Sequence, residues 1–446
     1  MQIRILNRRH TALDDYCELP KYAKPNNRQF DRYDSTHSRI WWWIRTIGKA
    51  GIFSIFCLTT NSAAADWTWQ PFVQAGFEYN DNFNLTPIPL EVWRSYFSGR
   101  LLSNYRQEQW RINFDGTYRG SRYIDHDEID QDEGFVNLFG DYSGEYSSWE
   151  LVANIRRDQP ASSQLQAGTQ VFNRIDRFVW NLGPAWNWNL TERSRLRLGY
   201  VYSNTSYSQA PTVRTSLSDY YTHTGSALLT HQLYEATQVF GQWYFIESVN
   251  DSLGFKSDQY SLSVGVQHSF SDTLQFTASG GGLLLDTELQ TFGLVFDPAR
   301  SVFLVVPSTV VNTQTGYIFS LSLTKTFENA SLYGSFDRNL SPTVNGGQVE
   351  LYRLRVNAEH RITEQLSAHL DIYGSKSSFV QGTVSQTGQF RFNAKASLRW
   401  KFDQNWNFDC GYLYGYREVD GSNSSANRNS VFISLNYEWD TRNVLQ

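Results

Sequence analysis

The stretch Phe390–Tyr416, FRFNAKASLRWKFDQNWNFDCGYLYGY, separates into two faces. Phe390, Phe392, Ala394, Ala396, Leu398, Trp400 and Phe402 fall on one parity. Arg391, Asn393, Lys395, Ser397, Arg399 and Lys401 fall on the other. A period of two is the strand signature, because successive side chains of a strand point to opposite faces. The polar triplet Asp403-Gln404-Asn405 breaks the run, and a second aromatic-rich run follows. The unit is a hairpin with one oily face and one cationic face.

The same alternation recurs along the chain. Trp110, Ile112, Phe114 and Tyr118 oppose Arg111, Asn113, Asp115 and Arg119. Tyr260, Leu262, Val264 and Val266 oppose Ser261, Ser263, Gly265 and Gln267, and Val431, Ile433, Leu435 and Tyr437 oppose Ser430, Ser434 and Asn436. Each run approaches the ~9–11 residues of a tilted transmembrane strand. Tight polar turns alternate with long polar loops, as in outer-membrane barrels. The predicted fold is all-β: a transmembrane antiparallel up-and-down barrel of 18 strands, or 16 if the weak pieces around Phe97 and Tyr221 merge with neighbours. Closure has a physical cause. An unpaired backbone N–H or C=O in hydrocarbon costs several kcal/mol, so a sheet in a bilayer cannot keep open edges.

Composition agrees. The 446 residues include 29 Phe, 26 Tyr, 15 Trp and 30 Gly. Mean hydropathy is -0.48, and no run reaches the ~18 apolar residues of a spanning helix. A soluble β-sandwich also alternates, but its core face favours Val, Ile and Leu. Here Trp67, Trp69, Trp400, Trp406 and Trp439 sit near strand ends, where an interfacial girdle needs them. The formal charge of -5 gives no support to nucleic-acid binding. Cys17, Cys57 and Cys410 show no metal or redox spacing.

Residues 1–65 read as a leader and secretory signal, and 66–446 as the barrel. Arg39, Arg45 and Lys49 flank a short apolar core, Ala50–Leu58, and Ala63-Ala64-Ala65 is an A-x-A site. Cleavage after Ala65 leaves Asp66 first, with a formal charge near -10 (29 basic minus 39 acidic residues).

The lumen wall collects the candidate functional residues: Arg111, Arg119, Arg195, Arg197, Arg353, Arg355, Arg391, Lys395 and Arg399. Two readings stand. A confined basic wall favours anionic solutes; alternatively the arginines pair with carboxylates across strands as a stiffening ladder. The acidic stretch Tyr123–Gly134, YIDHDEIDQDEG, lacks the order of a calcium loop and reads as a solvated external loop or a cation-bridged contact to lipopolysaccharide. Leu289–Val311 is an apolar loop that forms an extra hairpin or folds inward to narrow the pore. Ser279–Leu285, SGGGLLL, leaves room for a close approach. The histidines after the signal, among them His268, His360 and His369, have no metal-ligand spacing; no catalytic residue, metal or cofactor is expected.

Two stretches carry a resemblance. GFEYNDNFNL (Gly76–Leu85) resembles the first strand and loop, and NRNSVFISLNYEW (Asn427–Trp439) the closing strand, of the β-barrel porin-2 family of outer-membrane proteins. That family is often encoded beside exopolysaccharide or PEP-CTERM assembly systems. The resemblance implies an integral outer-membrane barrel in a Gram-negative cell, and partners among outer-membrane lipids, lipopolysaccharide, the barrel-assembly machinery and exopolysaccharide or its export proteins. The expected function is passive passage of hydrophilic, anionic or polysaccharide solutes. The alternatives are a structural or adhesive barrel with a blocked lumen, and an outer-membrane hydrolase.

Overall fold

A computed structural model describes residues 66–159, 176–208, 218–252, 254–297, 302–342, 348–381, 388–420 and 425–443. The expected signal segment, with Ala63 and Ala65, lies outside them; Asp66 opens the first strand. Eighteen long strands follow in order: β1 (Asp66–Asn80), β2 (Val92–Arg106), β3 (Trp110–Tyr123), β4 (Gln131–Ser143), β5 (Ser147–Asp158), β6 (Arg177–Asn189), β7 (Ser194–Tyr207), β8 (Tyr220–Tyr234), β9 (Thr237–Asn250), β10 (Phe255–Ser271), β11 (Leu274–Asp297), β12 (Val302–Thr326), β13 (Ala330–Pro342), β14 (Gln348–Arg361), β15 (Leu366–Gln381), β16 (Gln389–Lys401), β17 (Trp406–Val419) and β18 (Ser425–Glu438). Each pairs antiparallel with the next, and β18 returns to β1 through Phe72↔Glu438 to Asn80↔Ser430. The sheet is therefore a closed barrel with no free seam for lipid to meet. The weak pieces at Phe97 and Tyr221 belong to full strands β2 and β8, which decides for 18 strands over 16.

Strand length suits a bilayer. The 13 residues of β16 extend ~43 Å at ~3.3 Å each, and a tilt of ~45° reduces that to ~30 Å, one hydrocarbon core. Leu398, Trp400 and Phe402 of its oily parity are 44%, 50% and 42% exposed on the outward face, whereas Arg391 of the other parity is 2% exposed. Trp67, Trp69, Trp400, Trp406 and Trp439 lie near the tight-turn end. Ring contacts join several of them: Trp67–Trp69 at 5.8 Å, Trp406–Tyr437 at 4.7 Å and Tyr437–Trp439 at 4.4 Å. Trp110–Tyr142 and the stacked Trp149–Trp186 continue the outward aromatic belt. Closure, apolar exterior and belt together make this a barrel of the outer-membrane type.

Of the two sequence readings of Leu289–Val311 the extra hairpin holds, and one short strand is added that the sequence did not suggest. β11 and β12 stay paired as far as Asp297↔Val302, although β10 leaves β11 at Leu289 and β13 leaves β12 at Phe319. The apolar segment Leu289–Val311 thus belongs to a two-stranded ribbon that continues the ladder, rather than a loop folded into the pore. At the other end, a two-residue strand β19 (Arg442–Asn443) pairs with Thr68 and Trp69, extending the closing seam beyond β18.

The glycine run in β11 serves the neighbouring strand rather than a separate segment. A Cβ on Gly281 would lie 2.0 Å from the Leu262 carbonyl oxygen and 2.5 Å from the Ser263 Cα, while one on Gly280 or Gly282 would meet nothing closer than 3.9 Å. Gly281→Ala is expected to destabilise the barrel by about 1–3 kcal/mol, the usual cost of overpacking. Gly280→Ala should be nearly silent. Comparing their unfolding midpoints in urea tests the contrast; equal midpoints would refute it.

Candidate functional site

Alternation puts every second side chain into the lumen, and register decides which of them meet. Arg111 reaches Asp141 at 2.6 Å, Arg119 reaches Glu133 at 3.4 Å and Arg197 reaches Glu150 at 2.8 Å. Arg353 holds Asp337 at 2.7 Å and Arg399 holds Asp409 at 2.8 Å. Arg100 grips Asp115 through two nitrogens at 2.9 and 2.8 Å, and Arg94 pairs with Glu78. Much of the wall is therefore a ladder of cross-strand ion pairs. In a hydrated bore each such pair adds only ~0–1 kcal/mol; its larger consequence is that it cancels net charge.

The other candidate cations sit differently. Arg195 donates to the Asn189 amide oxygen at 3.0 Å. Arg355 lies 5.7 Å from the Tyr373 ring centre, and the Lys395 ammonium lies 4.6 Å from that of Phe432. Arg391 and Arg417, facing each other in register, both donate to the Gln389 amide oxygen. One strand further, Arg428 donates to Asn393 at 3.1 Å. No signal in the sequence distinguished these residues from the paired arginines, because the partner is set by register across strands.

The lumen changes character along its axis. Near the tight turns its side chains are exposed, as at Arg111, Arg195 and Lys401. Near the long loops they are buried: Ser121, Gln131, Ser257, Ser377, Gln389 and Arg391 are all 6% exposed or less. The loop 81–91 accounts for part of this. Asn82 donates to the Thr86 and Asn427 carbonyls, Asp81 accepts from the Asn429 amide and side chain at 2.6 Å each, and Arg417 donates to the Leu85 carbonyl at 3.3 Å. Leu85 has φ 50 and is 2% exposed. Asp81 thus extends the β1–β18 ladder by one pair, and at Leu85 the loop folds over the lumen face of β17. Phe83 and Leu90 pack on an apolar cluster of Val92, Tyr123 and Ile129. The sequence reading used this stretch, NDNFNL, only for its resemblance; its density of Asn and Asp beside an aromatic was the available sign of a fastened loop.

The acidic stretch Tyr123–Gly134 is more anchored than a solvated loop. Ile129 is buried in that cluster, Asp130 accepts from the Tyr123 amide at 2.9 Å, Asp132 pairs with Arg122 and Glu133 with Arg119. Among the described residues no group of three or more His, Cys, Asp or Glu is placed to hold a metal ion. The hydrogen bonds of His223, His231, His268 and His369 are to hydroxyls of Tyr200, Ser194, Thr237 and Ser367.

Under the folded loop lies a cavity of about 810 Å³, lined from β12 round through β18 to β3. A second, of about 860 Å³, lies by the β6–β7 turn and is lined by Glu150, Asn187, Arg195, Arg197 and Gln238. Both lie on the lumen side of the wall and are lined mostly by polar residues.

No protein-family model matches the sequence. No curated protein matches it either. Solved structures with a similar fold include OccK2 (OpdF) of Pseudomonas aeruginosa, crystallised in complex with glucuronate, at 12% identity and a TM-score of 0.44 over 84% of this chain and 98% of that one. OccAB4 of Acinetobacter baumannii is similar at 10% identity and a TM-score of 0.41, over 84% of this chain and 98% of that one. The ferric-catecholate import receptor Fiu of E. coli K12 is similar at 6% identity and a TM-score of 0.43, over 82% and 81% of the two chains.

Proposed function

We propose that the protein is an integral outer-membrane channel of a Gram-negative cell, passing hydrophilic solutes by diffusion. The observation that carries this reading is a closed 18-stranded wall whose inner face is polar and charged, with water-sized space along it. Barrels of 16–18 strands are wide enough to leave an aqueous lumen. Among the described residues Arg195 and Arg355 have no carboxylate within 4.0 Å, which biases the bore toward anions. Aromatic rings on the inner face, Phe135, Phe139 and Phe432 beside Arg119, Arg111 and Lys395, offer stacking surfaces to sugars. They support the narrower proposal that the solutes include acidic saccharides or secreted polysaccharide, with lipopolysaccharide around the outer rim.

Single-channel recording tests it. Protein purified from outer-membrane fractions and inserted into planar bilayers should give steady open steps, with a reversal potential on the chloride side in a KCl gradient. The folded loop at the long-loop end favours a second reading, a structural or adhesive barrel whose mouth is closed. That reading requires bilayers with inserted protein to stay silent.

A further inference from the structure

The cavity beneath the folded loop is polarised. Register sets Asp371 of β15 directly beside Lys395 of β16, yet the two are not ion-paired. The Lys395 ammonium leans away to the Phe432 ring of β18, 4.6 Å from its centre. The Asp371 carboxylate leans the other way and accepts from the Asn357 amide of β14 at 2.5 Å. Each wall has a second charge of the same sign. Arg428 of β18 lines the same cavity as Lys395 and donates to an Asn393 oxygen, its Nε buried without a hydrogen-bond partner. Glu359 stands on β14, diagonal to Asp371 across the β14–β15 ladder. Among the described residues no opposite charge lies within 4.0 Å of any of these four, and all four line the same cavity. The other charges there are cancelled: Arg94 by Glu78, Arg119 by Glu133 and Arg399 by Asp409.

We infer that this cavity is a binding site for a zwitterionic solute, whose carboxylate faces Lys395 and Arg428 and whose ammonium faces Glu359 and Asp371. A singly charged molecule satisfies one wall and meets repulsion from the other; a dipolar one satisfies both. Ser397, Gln74 and Tyr96 supply neutral hydrogen-bonding groups to the same space. The volume, about 810 Å³, lies in the range of small-molecule sites. The inference deepens the channel reading, since it names the solute class that lingers in the bore.

The test uses three probes of similar size: γ-aminobutyrate, butyrate and butylamine. In channel recordings at low ionic strength, γ-aminobutyrate should reduce the salt current saturably, with at least tenfold higher apparent affinity than either singly charged probe. Raising the salt should weaken the effect as screening shortens to ~8 Å at 0.15 M. Lys395→Gln with Arg428→Gln should abolish the preference, and so should Glu359→Gln with Asp371→Asn. The pair Arg195→Gln and Lys401→Gln, which removes the same charge near the tight turns and away from this cavity, should keep it. Equal block by all three probes, or loss of preference in the Arg195/Lys401 variant, overturns the inference while leaving the channel standing. Should no current appear, calorimetric titration of the same probes into the detergent-solubilised protein and its variants decides the site independently of conduction.

Discussion

Arginine in place of Ala396 is expected to lower the stability of the folded barrel by about 2–4 kcal/mol, the cost of a cationic side chain on the lipid face at the bilayer midplane. Ala396 stands midway along β16, between the outward ring Phe390–Tyr416 and the pair Trp400–Phe402. Its register neighbours Leu370 and Tyr412 are outward-facing and exposed. Arginine at Ser397, one residue on, points into the bore beside Arg399 and Asp409 and should change stability by less than about 0.5 kcal/mol, as water-facing substitutions usually do. Urea titration of the two variants folded into bilayers, read by the gel shift between folded and unfolded barrel, measures the contrast. Equal costs at 396 and 397 would mean that the alternation does not separate lipid from water. A larger cost at 397 would describe two sheets around a dry centre.

The second large effect concerns the mouth. Releasing the loop 81–91 by Asp81→Ala with Asn82→Ala should increase both the size and the lifetime of the open state. The carboxylate of Asp81 accepts two hydrogen bonds from Asn429, and Asn82 donates to two carbonyls. A hydrogen bond to a charged group is worth about 1.5–3 kcal/mol net, so losing the Asp81 clamp alone raises the released population roughly ten- to hundredfold. Larger unitary conductance in the variant, with a urea midpoint lowered by no more than the lost hydrogen bonds account for, is the expected outcome. If conductance stays at the wild-type value while the midpoint falls, the loop supports the wall and does not restrict the bore.

Much of the architecture is legible in the chain because it depends on local parity. Phe390 through Phe402 declare an outward face without reference to any other strand. The tight turns, such as Asp403-Gln404-Asn405, declare where the ribbon reverses. Where parity is not the deciding signal, the reading loses precision. Leu289–Val311 has the length of a loop and the apolar content of a strand, and only its pairing through Asp297↔Val302 shows that the ladder continues. The glycines of Ser279–Leu285 announce a close approach but not which backbone approaches.

The candidate site is legible to a smaller degree for the same reason. Arg353 and Arg355 look alike in sequence, two residues apart on one face. The first holds Asp337 and the second lies by Tyr373, since β13 on one side offers a carboxylate and β15 on the other offers a ring. Likewise Asp371 and Lys395 are register neighbours that lean apart because Asn357 and Phe432 lie on opposite sides of them.

By itself the amino-acid order determined the lipid and water faces, the alternation of tight turns with long loops and the aromatic belts, because a period of two is a property of each strand alone. Tertiary structure alone decided which charges cancel, which walls stay polarised and where the first loop is fastened. Those outcomes rest on contacts between residues as far apart as Asp81 and Asn429, which only closure of the sheet brings within hydrogen-bond reach.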